Sequence, residues 1–244
     1  MNLHIAFWEY LDLHERCEVG STRIATREAP YENGAVVPAG DWRPLTPGLA
    51  QRLKPTASTP DSSLVELVTL PTDALPQAAS DAAISAAAVR PGYSPGRSDS
   101  QYLGHLTCPP ETLTTTVNPS NRRRIGLHID NWDRLPRGTR HQSRRRLCLN
   151  LGPGHRYLLL ADRDAQGISQ AIHPDDEHHY PHTDDVRRYV AEGRPLRCIR
   201  IHLAPGQGYI APTELIPHDG STEGQPLPSK AAFWLGHWPR ATYT

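Results

Sequence analysis

The chain contains only four cysteines among its 244 residues, namely Cys17, Cys108, Cys148 and Cys198. They lie far apart, and no two of them form a C-x-x-C pair. Their spacing therefore indicates neither a disulfide framework nor a zinc knuckle. Cys148 and Cys198 lie in alternating apolar stretches, which predicts small, buried side chains.

An excess of charge and a long apolar run are also missing. The 26 basic and 26 acidic residues cancel, so no global field recruits nucleic acid or an anionic membrane. We therefore interpret the arginine clusters at 122–124 and 144–146 as solvated faces or as partners of nearby Asp residues. No apolar run approaches a membrane span, and the first residues lack a signal-peptide pattern. We expect a cytoplasmic protein without nucleic-acid or membrane partners; the sequence does not define its oligomeric state.

No internal repeat, G-x-G-x-x-G motif or phosphate loop is present, which argues against a dinucleotide-binding βαβ fold. What the chain has instead is 24 prolines and 18 glycines, a density that favours short strands joined by loops. A chain of this length commonly forms one all-β domain. We therefore expect a single domain over residues 1–244.

The pattern after residue 112 is a series of short β-rich stretches typical of a sandwich or barrel. These predicted strands are 113–117, 124–130, 146–151, 156–161, 197–203, 208–211 and 231–238. One helix, at 184–192, interrupts them, with Thr183 or Asp184 as its cap. The predicted class is mainly β (α+β), with a barrel core over 113–240.

Residues 1–112 have a more mixed pattern, which predicts flanking helices, strands and loops packed outside the barrel. Strand character is found at 18–26 and 63–70, and the segment 32–34 is typical of a turn. An alanine-rich stretch at 72–90 predicts a helix. The Pro-, Ser- and Gly-rich segments are predicted to be loops, at 55–63 and 91–100.

Two distant segments could supply two imidazoles and a carboxylate to one metal. In His128, Ile129 and Asp130 the alternation of a strand turns His128 and Asp130 to one face and Ile129 to the other. His218 would complete the set from a distant strand or turn. Two histidines and one carboxylate are the facial ligands of non-haem Fe(II) oxygenases, which leave three positions free on the metal.

These residues belong to a wider pattern that spans 128–133, 146–152, 156–160, 211–214 and 218–221. The pattern resembles the Fe(II)/2-oxoglutarate-dependent oxygenases of the double-stranded β-helix (jelly-roll) fold, a cupin-like superfamily. The resemblance covers about residues 113–238, roughly half of the chain. It implies a jelly-roll barrel flanked by N-terminal helices and loops. It also implies that His128, Asp130 and His218 are the iron ligands and catalytic residues.

The resemblance further implies a basic residue that pairs with the far carboxylate of 2-oxoglutarate. The first basic residue after His218 is Lys230, a point charge suited to a carboxylate. Arg146 is the competing candidate, on a strand whose polar face also carries Cys148 and Asn150. We keep Lys230, Arg146 and Asn150 as candidate co-substrate-binding residues.

Other polar residues allow two interpretations each. Asn131 and Trp132 directly follow the ligand pair and are candidates to contact substrate, although Trp132 is equally plausible as a core aromatic. Glu214 is either an acceptor for a ligand imidazole or a turn-capping carboxylate. The four histidines of segment 173–182 lie between prolines without periodicity, which favours an exposed loop over a metal site.

The resemblance implies an enzyme, a dioxygenase that uses Fe(II), 2-oxoglutarate and O2 and releases succinate and CO2. Its expected reaction is hydroxylation of an unactivated C–H bond in a small molecule, such as an amino acid or a natural-product intermediate. Desaturation and ring formation use the same iron site. The alternatives are a cupin-type metalloenzyme that does not use 2-oxoglutarate and a non-catalytic small-molecule-binding barrel.

Overall fold

The structure, a computed structural model, describes residues 3–6, 15–70 and 100–238. The strands are β1 (His4–Ala6), β2 (Cys17–Ala25), β3 (Tyr31–Pro38), β4 (Arg43–Pro44), β5 (Leu64–Thr69), β6 (Gln101–Cys108), β7 (Arg124–Gly126), β8 (Arg145–Pro153), β9 (Arg156–Ala161), β10 (Arg197–Leu203), β11 (Gln207–Ala211), β12 (His218–Ser221) and β13 (Ser229–Gly236). The helices are α1 (Pro47–Leu53), α2 (Ala165–Ile172) and α3 (Thr183–Ala191), with short 3-10 helices at Asp61–Ser63 and Arg137–Gln142. The predicted helix at 72–90 and most of the predicted loop at 91–100 lie outside the described residues.

The strands form two sheets. The six-stranded sheet has the order β1-β5-β11-β8-β13-β6, and the seven-stranded sheet has the order β12-β9-β10-β2-β3-β7 with β4 beside β2. A backbone bridge between His128 and His218 joins the chain just after β7 to β12. The seven-stranded sheet therefore curls into a nearly closed, barrel-like shape, and the predicted mainly-β class is confirmed.

The principal apolar core lies where side chains of both sheets meet. Alternate residues of β9 and β10 enter it, among them Leu158, Leu160 and Ile199, and the six-stranded sheet contributes Cys148 and Tyr209. Because the side chains of a strand alternate between faces, the remaining residues of β9 point outward. This parity decides which side chains of each strand can reach the interior.

Helices α2 and α3 cover the outer face of the seven-stranded sheet, where they pack against Leu159, Ala161 and Cys198. The Asp164 side chain caps α2 by accepting a hydrogen bond from the Gly167 amide at 2.7 Å. The predicted helix at 184–192 is confirmed to within one residue as α3. The sequence patterns do not predict α2. None of the helices in the described ranges has the length and apolar character needed to cross a membrane.

The strand predictions at 156–161 and 197–203 agree with β9 and β10 at both ends. The predicted strand at 113–117 is wrong, because the only pairing there is an isolated bridge of Val117 to Arg124. The predicted turn at 32–34 is also wrong. Those residues lie inside β3, whose pairing with β7 is irregular and whose Gly34 has a φ of 87°.

The N-terminal part of the chain is more deeply integrated than the sequence predicts. The expectation that residues 1–112 pack outside the barrel is corrected by the topology, because β1, β5 and β6 lie in the six-stranded sheet and β2, β3 and β4 in the seven-stranded one. The apolar side chains of β5 explain this placement, since Leu64 and Val65 are fully buried. A strand with buried side chains needs a sheet to cover them.

A buried ion pair in the six-stranded sheet joins β8 to β5, which lie on either side of β11. Arg145 Nη2 lies 2.6 Å from Glu66 Oε2, and both side chains are almost completely buried. The same guanidinium donates to the Leu64 carbonyl at 3.1 Å. Removal of one member would leave the other as a buried charge without its partner, which is strongly destabilising.

We expect Glu66→Ala to lower the free energy of unfolding by about 3–5 kcal/mol, because Arg145 then loses its buried counter-charge. Urea unfolding followed by circular dichroism measures this change. The matched control is Glu28→Ala, which removes an exposed pair with Arg23 at 2.6 Å and should cost at most about 1 kcal/mol. Equal losses in the two variants would contradict the assignment.

Candidate metal centre

The neighbouring side chains of His128 and Asp130 meet that of His218, which is distant in the sequence, at the start of β12. His128 Nε2 lies 4.0 Å from Asp130 Oδ1, and His218 Nε2 lies 3.6 Å from Asp130 Oδ2. A set of one ligand atom from each residue lies within 4.8 Å of one another. The structure thus brings together the three residues that the sequence predicts as metal ligands.

The backbone around His128 explains this convergence. His128 donates its amide to the His218 carbonyl at 3.0 Å, and His218 donates to the His128 carbonyl at 2.9 Å. The two residues are therefore direct cross-strand neighbours, and their ring centroids lie 4.5 Å apart. Gly126, two residues before His128, allows β7 to lie close against β3, because its φ is 71° and a Cβ there would overlap the Val36 carbonyl.

The alternation predicted for this segment also holds. Ile129 packs into the apolar cluster with α2 and α3, opposite to the face that carries His128 and Asp130. The Asp130 amide donates to the Thr213 carbonyl at 3.1 Å, which fixes the end of the segment. His128 and Asp130 therefore share one face of a short extended stretch.

Hydrogen bonds at the opposite ring nitrogens orient both imidazoles. His128 Nδ1 lies 3.0 Å from the Gly126 carbonyl, and His218 Nδ1 lies 3.1 Å from the Ile216 carbonyl. A carbonyl accepts only from a protonated nitrogen, so Nδ1 carries a proton in both rings, and Nε2 is the nitrogen of each ring that faces Asp130. His218 Nε2 is buried without a hydrogen-bond partner. Such an arrangement is the one found around metal-binding histidines.

The charges favour a deprotonated ligand set. Burial, reinforced by the nearby His128, lowers the pKa of His218 to about 3, so the ring is neutral at physiological pH. Burial opposes ionisation of Asp130, but the guanidinium of Arg146 leads the interactions that outweigh it and lower the pKa of the carboxyl. Neutral imidazoles and an ionised carboxylate are the forms that bind a metal ion.

Arg146 is a neighbour of the centre. Its Nη2 lies 2.7 Å from Asp130 Oδ2, and the guanidinium carbon lies 5.6 Å from the centre of the Phe233 ring. The structure therefore brings Arg146 to the triad, where it pairs with a predicted ligand. A guanidinium held this way orients the carboxylate and keeps it ionised.

A second arginine supports the loop behind the ligands. Arg140 is fully buried and donates to the Asp130 carbonyl at 2.5 Å, to Asn131 Oδ1 at 2.6 Å and to the Glu214 carbonyl at 2.8 Å. The Asn131 side chain is therefore committed in part to this arginine. Glu214 Oε1 accepts from the Asp133 amide at 2.8 Å, which matches its turn-capping interpretation. Trp132 is 50% exposed, so it lies at the surface and not in the core.

The other two predicted co-substrate residues are Asn150 and Lys230, and neither points toward the triad with an uncommitted polar group. Asn150 donates to the Gly154 and Leu203 carbonyls, both at 3.0 Å, and accepts from the Gly152 amide at 3.0 Å and the Ser229 hydroxyl at 3.1 Å. These bonds occupy its amide and identify it as a brace of the β8–β9 turn. Lys230 lies between Ser229 and Ala231, which face the interior, so it leaves the opposite face of the sheet.

A buried cation that the sequence patterns did not single out lies deeper in the barrel. Arg156 is 3% exposed, and its Nε and Nη1 have no hydrogen-bond partner. No carboxylate among the described residues lies within ion-pair distance of it; its electrostatic neighbours are Cys148, Cys108, Tyr209 and Asp219. The signal was present, because Arg156 has the strand parity of Leu158 and Leu160, which enter the core.

Glycine at position 220 makes room for this guanidinium. Arg156 Nη2 occupies the space that a Cβ on Gly220 would fill. Gly220 is two residues after His218 on β12, and both pair with inward-facing positions of β9, Leu158 and Leu160. The arginine and the triad therefore line the same interior, one above the other along β12.

A comparison of the chain with models of known protein families, with curated proteins and with solved structures finds no match.

We expect Arg156→Leu to be neutral or to stabilise the protein by up to about 2 kcal/mol when no anion is bound, because it removes a buried charge that has no described carboxylate within ion-pair distance. Arg145→Leu is the matched control, since it removes the guanidinium that pairs with the buried Glu66 at 2.6 Å and should destabilise. Urea unfolding of both variants in anion-poor buffer tests this difference. A loss in Arg156→Leu as large as that in Arg145→Leu would mean that Arg156 has a structural role.

Proposed function

We propose that this protein is an Fe(II)- and 2-oxoglutarate-dependent oxygenase on a double-stranded β-helix. The observation that carries the proposal is the meeting of His128, Asp130 and His218, with both imidazoles oriented through Nδ1 and with an unpaired, buried Nε2 on His218. Two imidazoles and one carboxylate, with open positions, form the ligand set typical of non-haem Fe(II) oxygenases.

The order of the strands supports the jelly-roll part of the proposal. From β6 onward the chain passes repeatedly between sheets: β6, β8, β11 and β13 lie in one sheet, and β7, β9, β10 and β12 lie in the other. Two interleaved sheets of this kind are what a jelly roll requires. The triad then lies on the seven-stranded sheet, at the end of the barrel where β12 begins.

Iron(II) bound there, with 2-oxoglutarate and dioxygen, would supply an oxidant able to attack an unactivated C–H bond, with release of succinate and CO2. The protein's own part is to hold and orient. The Gly126 and Ile216 carbonyls fix the two rings, and Arg146 keeps the Asp130 carboxylate ionised. Arg140 supports the loop that carries Asp130.

We assign the far carboxylate of 2-oxoglutarate to Arg156, in place of Lys230, Arg146 or Asn150. A buried guanidinium without a carboxylate partner is an unfavourable charge that a bound anion would neutralise. Two residues along a strand span about 7 Å, a distance comparable with the reach of a five-carbon keto acid. Arg156, beside Gly220, is thus suitably distant from His218.

Tyr209 completes this part of the interior. Burial raises its pKa well above the ordinary value, so its hydroxyl remains a neutral hydrogen-bond donor. Arg156 and Cys148 are among the groups that interact electrostatically with Tyr209. A guanidinium and a phenol in one dry interior match the needs of a buried carboxylate.

The substrate in this proposal is a small molecule, such as an amino acid or a natural-product intermediate, and hydroxylation is the proposed outcome. Trp132 supports an entrance at this end of the barrel, because it is half exposed and lies two residues from Asp130. Large aromatic side chains at a surface opening commonly contact ligands. Asn131, whose amide oxygen is held by Arg140, shapes the loop beneath it.

We expect His128→Ala and His218→Ala each to abolish succinate formation in the presence of iron, ascorbate, 2-oxoglutarate and a panel of free amino acids. Loss of a hydrogen-bond partner outside the ligands typically weakens metal binding by about 10–100-fold. Loss of a ligand itself should weaken it further. Anaerobic titration with Mn²⁺ measures that affinity. His155→Ala, which removes an exposed imidazole, is the matched control. A fully active, metal-loaded triad variant would refute the proposal.

We expect Arg156→Leu to weaken 2-oxoglutarate binding to the Mn²⁺-loaded protein by about a hundredfold or more, as the loss of one member of a buried charge pair does. Anaerobic calorimetry measures the dissociation constant without turnover. Arg156→Lys should retain part of the affinity, because it keeps the charge but not the fork. Lys230→Ala is the control. If Lys230→Ala weakens binding and Arg156→Leu does not, the anchor is Lys230.

A further inference from the structure

A second group of metal-binding side chains lies between α2 and α3, on different elements from the triad. His173 Nε2 lies 3.0 Å from Asp185 Oδ1, and His179 Nε2 lies 2.9 Å from Asp185 Oδ2. The two imidazoles are stacked, with ring centroids 3.8 Å apart. A set of one ligand atom from each residue again lies within 4.8 Å of one another. The segment predicted as an exposed histidine loop thus has a defined conformation.

Backbone contacts hold these side chains in place. The His173 amide donates to the Ser169 carbonyl at 2.7 Å, at the end of α2. Arg137 donates its amide to the His179 carbonyl at 2.9 Å and its Nη1 to the His173 carbonyl at 2.7 Å. Asp185, in the first turn of α3, accepts from the His182 amide at 2.9 Å. The cluster is therefore preorganised by both helices and by the Arg137 segment.

Solvent can reach the cluster, although its carboxylate is shielded. The side chains of His173 and His179 are 29% and 19% exposed, whereas that of Asp185 is 8% exposed. Without an ion, both rings must present an N–H to the same carboxylate. A divalent ion would replace those two protons and accept both lone pairs and a carboxylate oxygen together.

We propose that His173, His179 and Asp185 form a second metal site, separate from the triad, that binds a divalent transition ion of the Zn²⁺ class. Two imidazoles and one carboxylate suit Zn²⁺, and the exposed side of the rings leaves a fourth position for water. Oxygen-preferring ions such as Mg²⁺ and Ca²⁺ do not suit this set.

The contacts of the cluster indicate a structural role for the ion. Its residues join the end of α2, the segment between the helices and the start of α3. Arg137, which bonds two of the cluster's carbonyls, lies in the same 3-10 helix as Arg140, which bonds the Asp130 carbonyl. An ion that binds only the folded state raises the stability of these connections.

The test is the number of Zn²⁺ ions that the full chain binds after removal of metals by a chelator. Calorimetry should find two equivalents in the wild type and one in the triad variant His128→Ala/His218→Ala. It should also find one equivalent in His173→Ala/His179→Ala. The matched control, His178→Ala, changes an exposed imidazole of the same segment and should keep both equivalents. Co²⁺ absorption then shows whether the remaining ion has tetrahedral nitrogen and oxygen ligands.

The results for the two double variants distinguish this site from the triad. If the triad binds no ion, the wild type binds one equivalent and His173→Ala/His179→Ala removes it, which still supports the second site. If the triad variant binds none, or if His173→Ala/His179→Ala keeps the full number, the second site does not exist and the cluster is a hydrogen-bonded His–Asp–His group. Asp185→Asn keeps an acceptor for the His182 amide, so it tests the ligand role without loss of the helix cap.

Discussion

The paired backbone hydrogen bonds between His128 and His218 are the interaction on which the rest of the structure depends. They join the segment after β7 to the start of β12 and thereby bring the seven-stranded sheet round into a nearly closed shape. The same two bonds make the imidazoles cross-strand neighbours. Closure of the sheet and assembly of the candidate metal centre are therefore one structural event, in which Asp130 takes part as the next inward-facing residue.

Four arginines with little solvent exposure differ in the partners that neutralise them. Arg145 is paired with Glu66, Arg146 with Asp130, and Arg140 is held by carbonyl and amide oxygens. Arg156 differs, since it is buried with no carboxylate of the described residues within ion-pair distance, and Asp219 acts on it only from farther away. A protein interior tolerates a charge of that kind poorly unless something neutralises it. The contrast among the arginines is the physical reason to regard Arg156 as a ligand-binding group.

Much of this arrangement could be predicted from local patterns. Strand alternation placed His128 and Asp130 on one face and gave the limits of β9 and β10, because parity and turn residues are local properties. The partner His218 followed from the chemistry of a facial triad. Parity also separates the candidate co-substrate residues: Arg156 matches the inward-facing Leu158 and Leu160, whereas Lys230 alternates with the inward-facing Ser229 and Ala231.

Other features depend on contacts that no local pattern contains. The stacked pair His173 and His179 exists because α2 and α3 converge. Helix α2 is absent from the sequence-based predictions, although its buried residues Ala165, Ile168 and Ile172 have helical spacing and Asp164 caps it. The integration of β5 and β6 into the six-stranded sheet likewise follows from long-range pairing, with β11 and β13 as partners. The sequence contained the side chains for these contacts but not the distances between them.

The two imidazoles of the triad belong to the two residues of one backbone bridge. An ion bound there would therefore also hold the segment after β7 against β12. Under the proposed function, the loss of iron would loosen the hydrogen bonds made by the amides of His128 and His218. The hydrogen-exchange rates of these two amide protons would then report on metal occupancy. The candidate metal centre would then also help to hold the seven-stranded sheet closed.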